Sequence, residues 1–128
     1  MIPHAIEVVT LFATDIAATK AFYRTVFAAE TLFEDDVSAV LGFSGLIVNL
    51  LARDEAPELV TPAKIAPAGA GPAMMLTIRV EDVDAAAAEL REKGISLLNG
   101  PIDRPWGRRT AAFADPSGHA WELAQIID

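Results

Sequence analysis

Two short stretches of similar sequence decide the fold: VVTLFATDI at residues 8–16 and MLTIRVEDV at residues 75–83. Each is an apolar run that leads to an aspartate, Asp15 or Asp82, and each is followed by apolar residues at helical spacing. Because aspartate is a preferred helix N-cap, both stretches predict a strand that leads directly into a helix. The second helix is expected to end at Gly94, since glycine is common just beyond a helix C-terminus.

A second pair of similar stretches follows the two helices in the same order. Residues 44–52 are SGLIVNLLA, and residues 117–125 are SGHAWELAQ. Two matches in the same order indicate an internal duplication more strongly than either match alone. The second copy is longer by six residues, which we place most simply in a loop at residues 100–108.

Each copy therefore predicts a strand, a helix and three short strands, which together make an α+β fold. In the first copy we expect a strand at 6–13, a helix at 16–27 and strands at 31–34, 38–42 and 46–52. In the second copy we expect a strand at 74–80, a helix at 83–93 and strands at 96–98, 110–114 and 120–126.

The segment between the two copies, residues 53–72, contains four of the eight prolines and a Gly-Ala-Gly sequence at 69–71. Proline and glycine oppose regular structure, so this segment is expected to be a connector. We therefore predict a single domain over residues 1–128, made of a module at 1–52, a connector at 53–72 and a second module at 73–128.

Length, composition and charge limit the possible functions. A chain of 128 residues is long enough for one hydrophobic core. The absence of cysteine excludes disulfides, thiolate zinc sites and cysteine nucleophiles. The 18 acidic and 10 basic residues give a net charge of −8, which argues against nucleic acid or an anionic membrane as a partner. This balance favours a neutral or cationic small ligand.

The N-terminal residues 1–10 lack the charge layout of a signal peptide. The longest uncharged run, residues 37–52, is shorter than the ~20 residues that span a bilayer. We therefore expect a cytoplasmic protein without a membrane partner.

The most specific motif is the closing segment FADPSGHAWEL at residues 113–123, which is similar to the F-x-D-P-x-G-x-x-W/I-E-L signature of the vicinal oxygen chelate superfamily. This superfamily includes glyoxalase I, extradiol dioxygenases and bleomycin-resistance proteins. The resemblance covers almost the whole chain and is also carried by Asp15, the Ala-Phe-Tyr sequence at 21–23, Asp82, Leu90 and Gly94. It implies two βαβββ modules whose sheets curl together as a mixed sheet around a cavity, usually in a homodimer.

In metal-using members of that superfamily, the first and last strands of each module each supply one metal ligand. The resemblance carries these four positions over to Val8, Asn49, Met75 and Glu122. The internal duplication pairs the same positions, Val8 with Met75 and Asn49 with Glu122. Only Glu122 is a good ligand for a divalent metal, because valine cannot coordinate, the methionine thioether is soft and the asparagine amide is weak.

In the predicted register the two histidines do not complete a metal site, and only a slipped register would bring His4 beside Glu122. His119 is three residues from Glu122 on one predicted strand, so its side chain should leave by the opposite face. His4 lies roughly 13 Å along the first strand from Val8, at ~3.3 Å per residue. We therefore expect no metal and no other cofactor.

Candidate ligand-binding residues remain at the same positions and in one loop. If Glu122 lines an apolar cavity with Val8 and Met75 among its neighbours, as the resemblance implies, it is suited to hold a cationic ligand or to act as a general base. Asn49 can orient a carbonyl or an amide. Trp106, Arg108 and Arg109 can stack on a flat ligand or bind its carboxylate. Each of these residues also has a purely structural interpretation, as a packing, turn or surface residue.

Three functions remain open. The leading hypothesis is a metal-independent protein that binds a small organic molecule, in the manner of the drug-sequestering resistance proteins that it resembles. The alternative is an enzyme, a glyoxalase-like lyase or isomerase or a dioxygenase, that uses a divalent metal or Glu122 as general base. A third possibility is a structural or interaction module whose cavity is filled by its own side chains.

Overall fold

The structure, a computed structural model, describes all residues from Met1 to Asp128. The chain divides into two compact units, Met1–Ala70 and Gly71–Asp128. Each unit contains one four-stranded mixed sheet and one long helix, in the order strand, helix and three strands. The predicted α+β fold with two βαβββ modules is confirmed, and neither of the two sheets is closed.

The first unit contains strand β1, helix α1 and strands β2 to β4. Their bounds are Val8–Ala13 for β1, Ile16–Phe27 for α1, Glu30–Glu34 for β2, Ser38–Phe43 for β3 and Leu46–Ala52 for β4. The strand order is β1-β4-β3-β2, with β1 parallel to β4 and the other pairs antiparallel. The helix connects β1 to three consecutive antiparallel strands, β2, β3 and β4, and the last of them returns beside β1.

The predicted connector contains some regular structure. A turn of 3₁₀ helix covers Arg53–Glu55, and a short helix α2 covers Pro57–Val60. The N–H groups at the start of a helix have no partner within the helix, so a proline there loses no helical hydrogen bond. Pro57 therefore begins α2 and does not interrupt it. Ala56, between the two turns, is fully buried.

The second unit repeats the order of the first. Its elements are strand β5 at Met75–Arg79, helix α3 at Val83–Glu92 and strands β6 at Leu97–Arg104, β7 at Arg108–Ala114 and β8 at Ala120–Ile126. The strand order is β5-β8-β7-β6, with β5 parallel to β8 and the other pairs antiparallel.

Both long helices begin as the sequence predicts. An Asp15 carboxylate oxygen accepts a hydrogen bond of 3.0 Å from the backbone N–H of Ala18, and Asp82 makes the same bond of 3.0 Å with Ala85. These bonds satisfy N–H groups that have no partner within the helix. Helix α3 ends with Gly94 in the left-handed region at φ +81°, as expected.

Each sheet has one face packed under its helix. The residues buried on this face alternate along the strands, as the two-residue period requires. In the first unit they are Leu11, Ala13, Ala39, Leu41, Val48 and Leu50, and in the second Ala111, Phe113, Trp121 and Leu123. The intervening side chains point to the opposite side, which we call the helix-free face of each sheet.

The hairpin of β6 and β7 differs from the prediction. The extra residues of the second copy, expected in a loop at 100–108, instead lengthen both strands, and only a short turn at 105–107 remains. The register shifts twice along β6, once between Leu97 and Asn99 and once between Asn99 and Ile102. A Cβ atom at Gly100 would lie 2.3 Å from the carbonyl oxygen of Thr110, so only glycine fits this irregular strand.

No helix of the chain is both long enough and apolar enough to cross a bilayer.

The end of α1 generates a prediction about stability. Ala28 adopts a left-handed conformation, φ 49° and ψ 34°, which is costly for a residue with a Cβ atom. We expect Ala28→Gly to raise the free energy of unfolding by about 0.5 kcal/mol, since relief of this strain exceeds the added entropy of the unfolded chain. Urea denaturation measures the change. Gly94→Ala is the matched control and should lower stability by about 1 kcal/mol. A loss of stability in Ala28→Gly would contradict the conformation at this position.

Candidate functional site

The helix-free face of the first sheet carries a polar pair at its centre. Thr10 on β1 lies directly opposite Asn49 on β4 in the parallel register. The Asn49 side-chain amide donates a long hydrogen bond of 3.5 Å to the Thr10 hydroxyl. The neighbours of Asn49 on this face of β4 are Ile47 and Leu51, so the pair lies among apolar side chains.

The second sheet carries the corresponding pair. Thr77 on β5 lies opposite Glu122 on β8, and the Thr77 hydroxyl donates a hydrogen bond of 3.0 Å to Oε1 of Glu122. The internal duplication aligns Thr10 with Thr77 and Asn49 with Glu122. The two modules therefore hold the same arrangement, a threonine hydroxyl beside a side chain that can bind a ligand.

The two remaining positions carried over from metal-using proteins lie farther along the first strand of each sheet. Val8 is opposite Ile47, and Met75 is opposite Ala120. Each lies two residues before the threonine of its strand and so points to the same helix-free face. Both are partly exposed, Val8 by 40% and Met75 by 49% of the residue surface.

These side chains do not fit a divalent metal. Val8 has no donor atom, and Met75 and Asn49 offer a thioether and an amide in place of the charged oxygen or imidazole ligands that such ions prefer. Nowhere in residues 1–128 do three or more His, Cys, Asp or Glu side chains come together as a possible metal site.

His119 is held in the turn that precedes β8. Its Nδ1 lies 2.7 Å from Oδ2 of the buried Asp115, whose other oxygen accepts backbone hydrogen bonds of 2.9 Å from Ser117 and His119. These contacts form an aspartate turn, a conformation that the Asp, Pro and Gly residues of the DPSG sequence favour. The other histidine, His4, is exposed and precedes β1.

The three candidates from the predicted loop are separated by the strands that replace it. Trp106 is 68% exposed in the turn between β6 and β7. Arg108 is four residues before Ala112, the partner of Glu122, and so lies on the helix-free face with Glu122. Arg109 lies on the opposite face.

Arg109 is bound within its own unit. Its guanidinium donates two hydrogen bonds to Asp84 on α3, at 2.9 and 3.0 Å, and one of 3.0 Å to Asp103. The hydrogen bonds from Arg109 lower the pKa of the Asp84 carboxyl below its usual value. The bidentate ion pair with Asp84 joins α3 to the sheet, and together with the bond to Asp103 it uses three of the five N–H donors of Arg109.

Sequence reasoning missed three residues on the helix-free faces. Thr10 and Thr77 were already aligned by the duplication, but only the strand register shows that they lie opposite the candidate ligand-binding residues. Arg104 was expected in a loop, where no face could be assigned. In the structure its Nε donates a hydrogen bond of 3.0 Å to Thr110, and Nη2 donates one of 3.2 Å to Asn99.

Two surface depressions of the chain lie beside helices and not on the helix-free faces. One depression of about 510 Å³ lies between α1 and the turn after β2, and another of about 560 Å³ lies beside the end of α3. The first is lined by Lys20 and Glu34, which form an ion pair of 3.1 Å. Hydrogen bonds from Lys20 and Arg24 lower the pKa of Glu34 below its usual value. The charged groups of this depression thus already bind one another.

Comparison with known proteins places the fold among characterised structures. YraH, an uncharacterized protein of Bacillus subtilis (strain 168), is 29% identical over 123 residues, which cover 93% of this chain and 96% of the relative. The crystal structure of a glyoxalase/bleomycin resistance protein/dioxygenase from Nocardioides has a TM-score of 0.88 at 24% identity and covers 100% of this chain and 87% of that chain.

A third similar protein has a stated ligand class. TnmS3, an antibiotic binding protein from Streptomyces sp. CB03234, has a TM-score of 0.73 at 25% identity, and the match covers 98% of both chains. The model of the Glyoxalase/Bleomycin resistance protein/Dioxygenase superfamily matches residues 5–123, nearly the whole chain and both modules. The duplicated βαβββ units, the closing motif and this match lead to one conclusion: the chain belongs to the Glyoxalase/Bleomycin resistance protein/Dioxygenase superfamily.

Proposed function

We propose that this protein binds a small organic molecule on the helix-free faces of its sheets, without a metal ion. The observation that carries the proposal is the chemistry at the four positions carried over from metal-using members. Glu122 is the only ionisable side chain among them, and the other three positions are occupied by Asn49, Val8 and Met75. Such a surface suits an organic ligand held by apolar contact and a few hydrogen bonds.

Each polar pair has a defined role in the proposal. Thr77 donates to Oε1 of Glu122, which leaves Oε2 to accept a hydrogen bond from a ligand N–H or ammonium group. Asn49 offers an amide that both donates and accepts, so it can orient a ligand carbonyl. Val8, Ile47 and Met75 supply the apolar surface.

A similar protein of known ligand class supports this proposal. TnmS3 is an antibiotic binding protein, and its chain matches this one over 98% of both lengths. Antibiotic binding is therefore a function that this fold supports in a protein of similar size. Fold alone does not fix function, so the proposal depends on the residues at the site.

A second candidate function uses the same carboxylate. The free Oε2 of Glu122 could accept a proton from a bound substrate, which would make the protein an enzyme with Glu122 as general base. The Glu122→Gln variant distinguishes the two functions. If Glu122 is a general base, the variant has no carboxylate to accept the proton, so it should bind the substrate but not convert it.

A ligand screen followed by substitution tests the binding function. Compounds from a library of small organic molecules, detected by the shift in Tm, should bind more weakly to Glu122→Gln by about tenfold when they carry an N–H or ammonium donor, because a charge-assisted hydrogen bond is lost. Glutamine still accepts from Thr77, so the fold should be retained. Glu92→Gln on α3, which removes the same charge from an exposed helix position, is the control. Equal loss of affinity in both variants would refute the assigned role of Glu122.

We also propose a homodimer, which the family resemblance implies. Light scattering on the purified protein should give a mass of about twice the 13.6 kDa of one chain. A mass of one chain at all concentrations would contradict this part of the proposal.

A further inference from the structure

Three arginines gather at one end of the helix-free face of the second sheet. Arg79 ends β5, Arg104 ends β6 and Arg108 begins β7. The register places Arg104 directly opposite Arg108. Arg79 lies opposite Ala124 on β8, and Ala124 in turn lies opposite Thr110 on β7. All three positions have the same two-residue phase as Glu122, so they share its face of the sheet.

The guanidinium of Arg104 is oriented by neutral groups. Its Nε donates to the hydroxyl of Thr110 at 3.0 Å, and its Nη2 donates to the side-chain carbonyl of Asn99 at 3.2 Å. Thr110 is only 1% exposed, so the anchor of this arginine is rigid. Neither partner carries a charge, so the positive charge is held in place without being neutralised.

None of the three arginines forms an ion pair, although the chain has 18 acidic residues. On the other face of the same hairpin, Arg109 binds two carboxylates, those of Asp84 and Asp103. Like charges directly opposite each other on neighbouring strands destabilise a sheet, and Arg104 and Arg108 are such a pair. This repulsion destabilises the sheet, and no carboxylate forms an ion pair with either arginine to offset it. Such an uncompensated destabilisation is typical of a functional site.

We propose that this arginine cluster, Arg79, Arg104 and Arg108, binds an oxyanion group of the ligand, a carboxylate or a phosphate. The inference deepens the proposed function, on which it rests, by giving the ligand a charge. Arginine presents paired donors that match both oxyanions, and Arg104 is pre-oriented for such a contact.

The spacing along the sheet defines the ligand further. Thr110, which anchors Arg104, is two residues along β7 from Ala112, the partner of Glu122, and so about 7 Å away. The ligand therefore carries an oxyanion on the side of the arginine cluster and a donor for Glu122 farther along the same face. The charge balance of the whole chain favoured a cationic or neutral ligand, but net charge does not describe the local charge of a binding face.

Small aromatic probes test the charge of the site directly. Benzoate and phenyl phosphate carry the two oxyanions, and benzamide is the neutral control for benzoate. In NMR titrations of the ¹⁵N-labelled full chain, both anions should shift the Nε–H signal of Arg104 and the backbone amides of β7 with millimolar affinity, and benzamide should not. The affinity should fall as salt is raised from about 20 to about 200 mM. The tighter of the two anions identifies the oxyanion.

Substitutions locate the binding to the cluster. Arg104→Gln and Arg108→Gln should each weaken anion binding by about fivefold or more. Arg104→Lys, which keeps the charge but loses the fork of donors, should fall between Arg104→Gln and the unchanged protein. Arg91→Gln, an exposed position on α3, removes the same charge and should have no effect. Arg108 makes no hydrogen bond that the fold would lose, so its variant remains informative even where Arg104→Gln is unstable.

Three results would overturn the inference: equal binding of benzamide and benzoate, equal weakening by Arg91→Gln, or no shift at about 20 mM of either anion, a concentration at which millimolar ligands saturate. These failures are distinct from failure of the proposed function. Binding of neutral compounds that depends on Glu122, without anion binding, would leave the proposed function standing. Anion binding without any dependence of other ligands on Glu122 would leave only the arginine cluster.

Discussion

The parallel pairing of the first and last strand in each module is the constraint on which the rest of the structure depends. A parallel pair requires a crossover connection, and here α1 or α3 with the following hairpin supplies it. The helix covers one face of the sheet, and the register fixes which side chains reach the other. A slip of one residue would put Glu122 under α3 and Trp121 on the helix-free face, exchanging a buried core residue for a carboxylate. The hydrophobic core therefore fixes the positions of the candidate site.

Most of the fold and part of the site could be predicted from the sequence because the duplication provides two versions of each signal. Asp15 and Asp82 locate both helix starts, and nearly all predicted element ends lie within two residues of those observed. The duplication also shows that Asn49 and Glu122 occupy equivalent positions in the two modules. Comparison of the two copies does not show which residue of the first strand lies opposite Asn49 or Glu122 in the parallel pair. Thr10 and Thr77 belong to the candidate site because the strand register places them opposite Asn49 and Glu122.

The hairpin of β6 and β7 could not be predicted, for a physical reason. Two register shifts and the Gly100–Pro101 sequence interrupt the alternation of apolar and polar residues by which strands are recognised. The sequence therefore predicts a loop at Arg104 and Arg108, and it does not distinguish Arg108 from Arg109. The strand separates them: Arg109 binds Asp84 beside the helix, and Arg108 lies on the face of Glu122. The same hairpin that extends the second sheet thus supplies two of its three unpaired arginines.

We propose that this member of the superfamily binds its ligand without a metal ion, and a measurement of the metal content of the protein is the decisive test. The purified protein is dialysed against a chelator, incubated in turn with Ni(II), Zn(II), Mn(II) and Fe(II), desalted, and analysed by inductively coupled plasma mass spectrometry. Because Val8, Asn49 and Met75 offer no strong ligand for these ions, we expect far less than one metal ion per chain after desalting. Retention of one ion per chain would contradict the account and would require ligands, such as His4, in positions other than those found here.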